Sequence, residues 1–306
     1  MATGWKRAAE ILLTRGGAAA VAGHRTAPRA AVLAYHNIVP AGEPAAGDVS
    51  LHVDQTVFAR HLDWIQAHAT VVPLDALLDA SRSSRGRGLY VAITFDDAYR
   101  GTMTVGLHEL VARGLAATVF VPPGLLGTEG FWWDRLAPTG DAPLDPRLRS
   151  HALDKLHGLD ARIIPWALDQ GIALQELPDH ARPVTRQELT GGSLPEGITL
   201  GAHTWHHANL TSLSGGDAES EMRRSKEWLV SETDAYIDWL AYPYGLWSTA
   251  VADGASRIFE GALRVDGGLA VRRGERASGD YLVPRINVPR GVSLEGLALR
   301  LSGLLT

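Results

Sequence analysis

Short apolar runs recur along this chain with segments of helical period between them, and that alternation restricts its fold more than any other feature. AAVLAY (30–35), GLYVAITF (88–95), AATVFV (116–121), GITLGA (197–202) and YIDWLAY (236–242) read as buried strands. Between them, FARHLDWIQ (58–66) and MTVGLHELVARG (103–114) carry apolar residues at i, i+3, i+4 spacing, and the second stops at Gly114 as a helix does. ESEMRRSKEWLVSE (219–232) follows the same pattern. Strands alternating with helices imply an α/β fold with a mainly parallel sheet, open or closed into a barrel.

Composition narrows the functions such a fold could carry. At 306 residues and 45% hydrophobic content, the chain can bury a sizeable core. A net charge of −5 without a basic block leaves no electrostatic footprint for nucleic acid, and the Arg-containing stretch from Ser81 to Arg87 reads as a solvated loop. The absence of cysteine excludes a thiol nucleophile, a Cys-ligated zinc and a disulfide framework, so any metal must be held by His and carboxylate. Near the N-terminus, Glu10 and Arg15 interrupt the apolar stretch that an export signal would need, and no other stretch approaches the ~20 apolar residues of a membrane span. A cytoplasmic protein is expected, with residues 1–28 as an Ala-rich lead-in and residues 29–306 as a single domain. Residues 122–195 break the alternation. They hold many prolines, the aromatic FWWDRL (131–136) and a helical stretch over 148–171, and are expected to form an inserted cap.

Parallel α/β folds collect their functional groups where strands end. Here His36 follows the first strand, Asp96 and Asp97 the second, HTWHH (203–207) the fourth, and Pro243-Tyr244-Gly245 the fifth. His203 and His207 are four residues apart; with a carboxylate from another strand end they make a three-ligand set that leaves open positions on a cation. The alternative is a surface turn in which Asn209 and Thr211 cap the next element. A divalent ion explains why two adjacent aspartates stay ionised, since it dominates the local charge. Asp97 would hold the ion, and Asp96 would accept a proton from a water activated by it.

TFDD (94–97), HTWHH (203–207) and AYPYG (241–245), in that order and each after an apolar strand, resemble the motifs of the polysaccharide deacetylases, carbohydrate esterase family four with its NodB-homology domain. The resemblance covers residues 30–290. It implies a distorted, incomplete (β/α) barrel with a helical insertion, and metal-dependent hydrolysis of an acetyl group from an amino sugar or glycoconjugate. Zinc is the first candidate ion, with cobalt, nickel, manganese and iron as alternatives. By motif, Asp96 is the general base, and Asp97, His203 and His207 are the metal ligands. The backbone N–H of Tyr244 holds the oxyanion, and Pro243 beside it is placed with the substrate-binding residues.

Many family members carry an Arg two residues before the Pro of the third motif, where this chain has Ala241; Arg285 in VPRINV is the substitute. The family's late Leu-x-His acid is also missing, since no histidine follows His207. LAYHNI (33–38) resembles the opening motif of the circularly permuted subgroup, which makes His36 the general acid. Trp132 and Trp133 are expected to offer flat faces to a sugar. Two other readings stay open: a metal-dependent amidase acting on a small amide or cyclic imide, and a catalytically inactive sugar-binding module.

Overall fold

The computed structural model describes residues 29–83, 88–140, 142–265, 267–270 and 281–303. The lead-in expected over residues 1–28 lies outside the described residues. Each predicted strand forms within a residue or so of its expected bounds: β1 (Arg29–Tyr35), β5 (Leu89–Phe95), β6 (Ala117–Val121), β7 (Ile198–Ala202) and β8 (Tyr236–Ala241). Shorter strands complete the set, namely β2 (Asn37–Val39), β3 (His52–Asp54), β4 (Thr70–Val71), β9 (Gly261–Arg264), β10 (Val283–Pro284) and β11 (Ile286–Asn287).

Every pairing in the main sheet is parallel, in the order β10-β9-β8-β7-β6-β5-β1-β11, with β4 flanking β5. The two ends of that order are one piece of chain. β10 pairs with β9 through Val283↔Leu263, and β11 pairs with β1 through Leu33↔Ile286, with only Arg285 between them. A single segment therefore bridges the first strand and the last, and the sheet curls into a nearly closed parallel barrel.

Side chains alternate across each strand. Ala31, Leu33 and Tyr35 of β1 and Val91, Ile93 and Phe95 of β5 face outward, onto helices that include Gln55–His68, Gly215–Glu232 and Leu294–Ser302. Ala30, Val32 and Ala92 point the other way and join Phe120, Trp239, Leu263 and Val283 inside the barrel. The helix Leu77–Ser83 adds Leu77 and Leu78 to that inner cluster, so the Ser81 end of the expected solvated loop is instead helical and buried.

Two other helical expectations are altered by local backbone demands. Residues 103–114 begin with a wider turn over Thr102–Gly106, in which the Leu107 amide reaches back to the Thr102 carbonyl, before Leu107–Val111 continues as α-helix. The helical stretch expected over 148–171 is two helices, Pro146–Asp154 and Asp160–Asp169. His157 and Gly158 between them take φ of 61° and 70°, which no right-handed helix can accommodate. Together with Trp132–Arg135 these helices, which follow β6 and precede β7, build a separate apolar cluster of Phe131, Trp132, Trp133, Ile163 and neighbours, joined by Tyr99 from the turn after β5. Among the described residues, no helix is long and apolar enough to cross a membrane.

Candidate active site

Strand parity sends His36 and Asp96 into the barrel along with Val32 and Ala92. Continued as a strand, the chain would send Asp97 to the opposite face. It does not continue. Asp97 and Ala98 take φ of 74° and 55°, a left-handed geometry that costs an L-residue ~1–2 kcal/mol. Thr204, His207 and Tyr244 show the same departure, at 62°, 54° and 58°. Among the described non-glycine residues, those with positive φ thus fall within the three motifs or, at Ala98, directly after one, except for His157, whose carbonyl accepts from the amide of Asn209, two residues beyond HTWHH, at 2.8 Å.

These turns bring three donor atoms together. His203 Nε2 and His207 Nε2 are 3.0 Å apart, and Asp97 Oδ1 lies 3.5 Å from the first and 3.2 Å from the second. All three residues are buried. His203 Nδ1 donates to the Ala241 carbonyl at 2.8 Å, which fixes the tautomer and leaves a lone pair on Nε2. Asp97 Oδ1 is buried without an aligned hydrogen bond. Buried acceptors turned toward one point are costly unless a cation shares them. Donor atoms on a tetrahedral zinc at ~2.0–2.1 Å would stand ~3.3 Å from one another, close to the 3.0, 3.2 and 3.5 Å found here. The residues fit a divalent ion.

Charge around the cluster is arranged to match. Burial pushes the Asp97 carboxyl up, but His203 and His207 outweigh it and hold the group far below the usual carboxylate range. Asp96 is also penalised by burial and is still held below its ordinary value, chiefly by Arg285 and then His203. For His203, burial is overcome by Asp96 and Asp97 and the imidazole is raised. Burial wins at His207 and at His36, which are both lowered.

Arg285 comes from the closing segment and has no exposed surface. Its Nη1 and Nη2 each donate to one Asp96 oxygen at 2.7 Å, and Nη1 also reaches Thr94 Oγ1 at 3.2 Å. His36 stands at the rim, with Nε2 3.9 Å from Asp96 Oδ2.

Tyr244 lies in the turn Pro243–Gly245 directly after β8. Its ring meets the His207 imidazole edge-on at 4.4 Å, and its hydroxyl accepts from Trp132 Nε1 and donates to the Gly158 carbonyl, both at 2.9 Å.

The expectation that Trp132, Trp133 and Pro243 present surface to a sugar is corrected. Trp132 is 0% and Trp133 3% exposed, and Pro243 is buried at the head of its turn. The tryptophans belong to the apolar cluster of the inserted helices, where Trp133 packs on His207 at 4.8 Å between centroids. They wall the site from behind. Sequence reasoning also missed the Ala241 carbonyl and the buried group of Tyr99, Asp134 and His52 behind Trp133; nothing in the spacing of those residues signals that they meet.

Known proteins resemble this chain in sequence and in fold. The family model described as polysaccharide deacetylase matches residues 84–258, more than half of the chain. YxkH of Bacillus subtilis (strain 168), which carries a polysaccharide deacetylase description, is 22% identical over 265 residues, covering 86% of this chain and 72% of that protein. Among solved structures, the Streptococcus pyogenes deacetylase PplD in complex with acetate aligns with a TM-score of 0.58 at 19% identity, over 89% of this chain and 98% of the other. IcaB from Ammonifex degensii aligns at 0.56 with 17% identity, over 90% and 100%. At these identities the structural likenesses establish a common fold.

Proposed function

The chain belongs to the polysaccharide deacetylase family, hydrolases of carbon–nitrogen bonds other than peptide bonds, and from that premise we propose that it removes N-acetyl groups from an amino sugar or glycoconjugate with the help of a divalent ion. The observation that carries the reading is the buried Asp97 Oδ1, left without an aligned hydrogen bond beside the Nε2 atoms of His203 and His207.

Asp97, His203 and His207 would hold the ion, zinc first among the candidates for a site of imidazole and carboxylate. When bound, it supplies Lewis acidity toward the acetyl carbonyl and lowers the pKa of a water. Asp96 takes up the proton of the attacking water, and its pairing with Arg285 keeps it ionised and fixes its orientation. The Tyr244 amide donates to the carbonyl oxygen as negative charge develops there. His36, closer to solvent than the others, hands a proton to the departing amine. The inserted helices wall one side of the cluster, through Trp133 packed on His207.

Plasma emission on protein purified with zinc and then desalted tests the reading directly. Stoichiometric zinc and deacetylation of an N-acetylglucosamine oligomer are expected of the native chain. Asp97→Ala and His203→Ala should lose both while keeping their far-UV circular dichroism, because the ligands sit at strand ends and not in the apolar core. A native chain that retains no divalent ion ends the proposal, and turnover of cyclic imides in place of the acetylated sugar would move it to a different amide.

A further inference from the structure

Asp97 reaches the ion-binding cluster only because residues 97 and 98 adopt left-handed angles, and neither is a glycine that would do so freely. Such a turn persists where its surroundings over-determine it. The next residue supplies the anchor. Tyr99 has no exposed surface, and its hydroxyl donates to Asp134 Oδ2 at 2.6 Å. Asp134, equally buried, accepts on Oδ1 from His52 Nε2 at 3.1 Å and from the Asp48 amide at 2.8 Å. Asn37 Nδ2 donates to His52 Nδ1 at 2.9 Å, which places the His52 proton on Nε2, where Asp134 needs it. Gly47, at φ 80°, crosses so close to Asp134 that a Cβ there would collide with the carboxylate.

The same hydroxyl serves a second ligand. Trp133 Nε1 donates to Tyr99 Oη at 2.9 Å, and the Trp133 ring is the one packed on the His207 imidazole. Through Tyr99, then, the backbone that aims Asp97 and the wall that fixes His207 share one anchor, a charge-assisted hydrogen bond to a carboxylate with no access to water.

We infer that Tyr99 and Asp134, oriented by His52, are positioning residues for the divalent ion, acting through Asp97 and His207 without touching the ion themselves. The inference rests on the cation reading above, and its test is cation affinity measured apart from turnover. Zinc is titrated into the native chain and Tyr99→Phe in competition with a chromophoric chelator, and cobalt-loaded samples are compared by visible absorption. Tyr99→Phe should bind zinc about 10–100-fold more weakly, the usual cost of losing a partner behind a metal ligand, and should shift the cobalt bands. Should Tyr99→Phe not fold, Asp134→Asn is measured in the same way with the same expectation. A folded variant with native zinc affinity and unchanged cobalt spectrum overturns the inference even if its thermal stability falls, since a purely structural role predicts that result. A native chain with no zinc affinity removes the cation reading and this one with it.

Discussion

At the scale of single residues, His36 differs from its neighbours by its access to solvent: 15% of its side chain is exposed, against 4% for Asp96 and 2% for Asp97 and His203. At 3.9 Å from Asp96 its Nε2 makes no hydrogen bond there, which leaves that nitrogen open to another partner. A general acid acts on the leaving group, and an amine must be protonated to depart whereas an activated phenolate need not be. His36→Ala should therefore lose ~10²–10⁴-fold on an N-acetyl sugar while its hydrolysis of an aryl acetate and its zinc content stay close to native. Equal losses on amide and ester, or loss of the metal, would reassign the residue. Asp97, His203 and His207 could be read in the sequence because their two short motifs, TFDD and HTWHH, each stand at the end of an apolar run. Tyr99 and Asp134 could not, because their meeting depends on how the inserted helices fold back across β5, 35 residues later.

Among elements, the helix Gln55–His68 shows how a correct pattern can hide its most informative residue. Phe58, Leu62 and Ile65 form the expected apolar face, and His61 lies on that same face, 1% exposed. Its Nδ1 meets the Tyr35 hydroxyl at 3.2 Å and its Nε2 the Val292 carbonyl at 3.1 Å, tying the helix to β1 and to the turn before the last helix. Burial lowers its pKa from 6.5 to about 4. The unfolded chain thus binds this proton first. Its contribution to stability is complete above about pH 6.5 and is lost as pH falls toward about 4, amounting to about 3 kcal/mol at the acid end. Urea midpoints at about pH 7 and about pH 4.5 should drop further for the native chain than for His61→Gln, which removes the ionisation and keeps a polar side chain. Equal drops would show that His61 does not titrate in this window. Helical period identified the face; which strand and which carbonyl the imidazole would meet lies beyond what a local pattern records.

Taken whole, the molecule depends on the five residues 283–287, which close the barrel and carry Arg285 into its interior. The guanidinium and the Asp96 carboxylate are both buried, so each compensates the other's desolvation. Arg285→Met should cost ~3–5 kcal/mol of stability by stranding the carboxylate, and adding Asp96→Asn to the same chain should recover most of it. Chemical denaturation of the native chain, both single variants and the double variant completes the cycle. If the double variant is as unstable as the sum of the singles, the pair is not coupled in the fold, and closure of the barrel owes nothing to it.

The sequence by itself determined the parallel α/β class, the positions of the five long strands and the grouping of Asp96, Asp97, His203 and His207, because hydrophobic period and strand-end position are properties of a few consecutive residues. It named Arg285 only as the stand-in for Ala241. Tertiary structure alone decided that two short strands flanking Arg285 would join β9 to β1 and set its guanidinium on a carboxylate 189 residues away. It likewise turned Trp132 and Trp133 from the expected sugar platform into a buried wall, and gave Asp97 its left-handed turn. Each of these is a contact between segments distant in sequence, fixed by the closure of the barrel and the packing of the insertion, and no local pattern of residues carries that information.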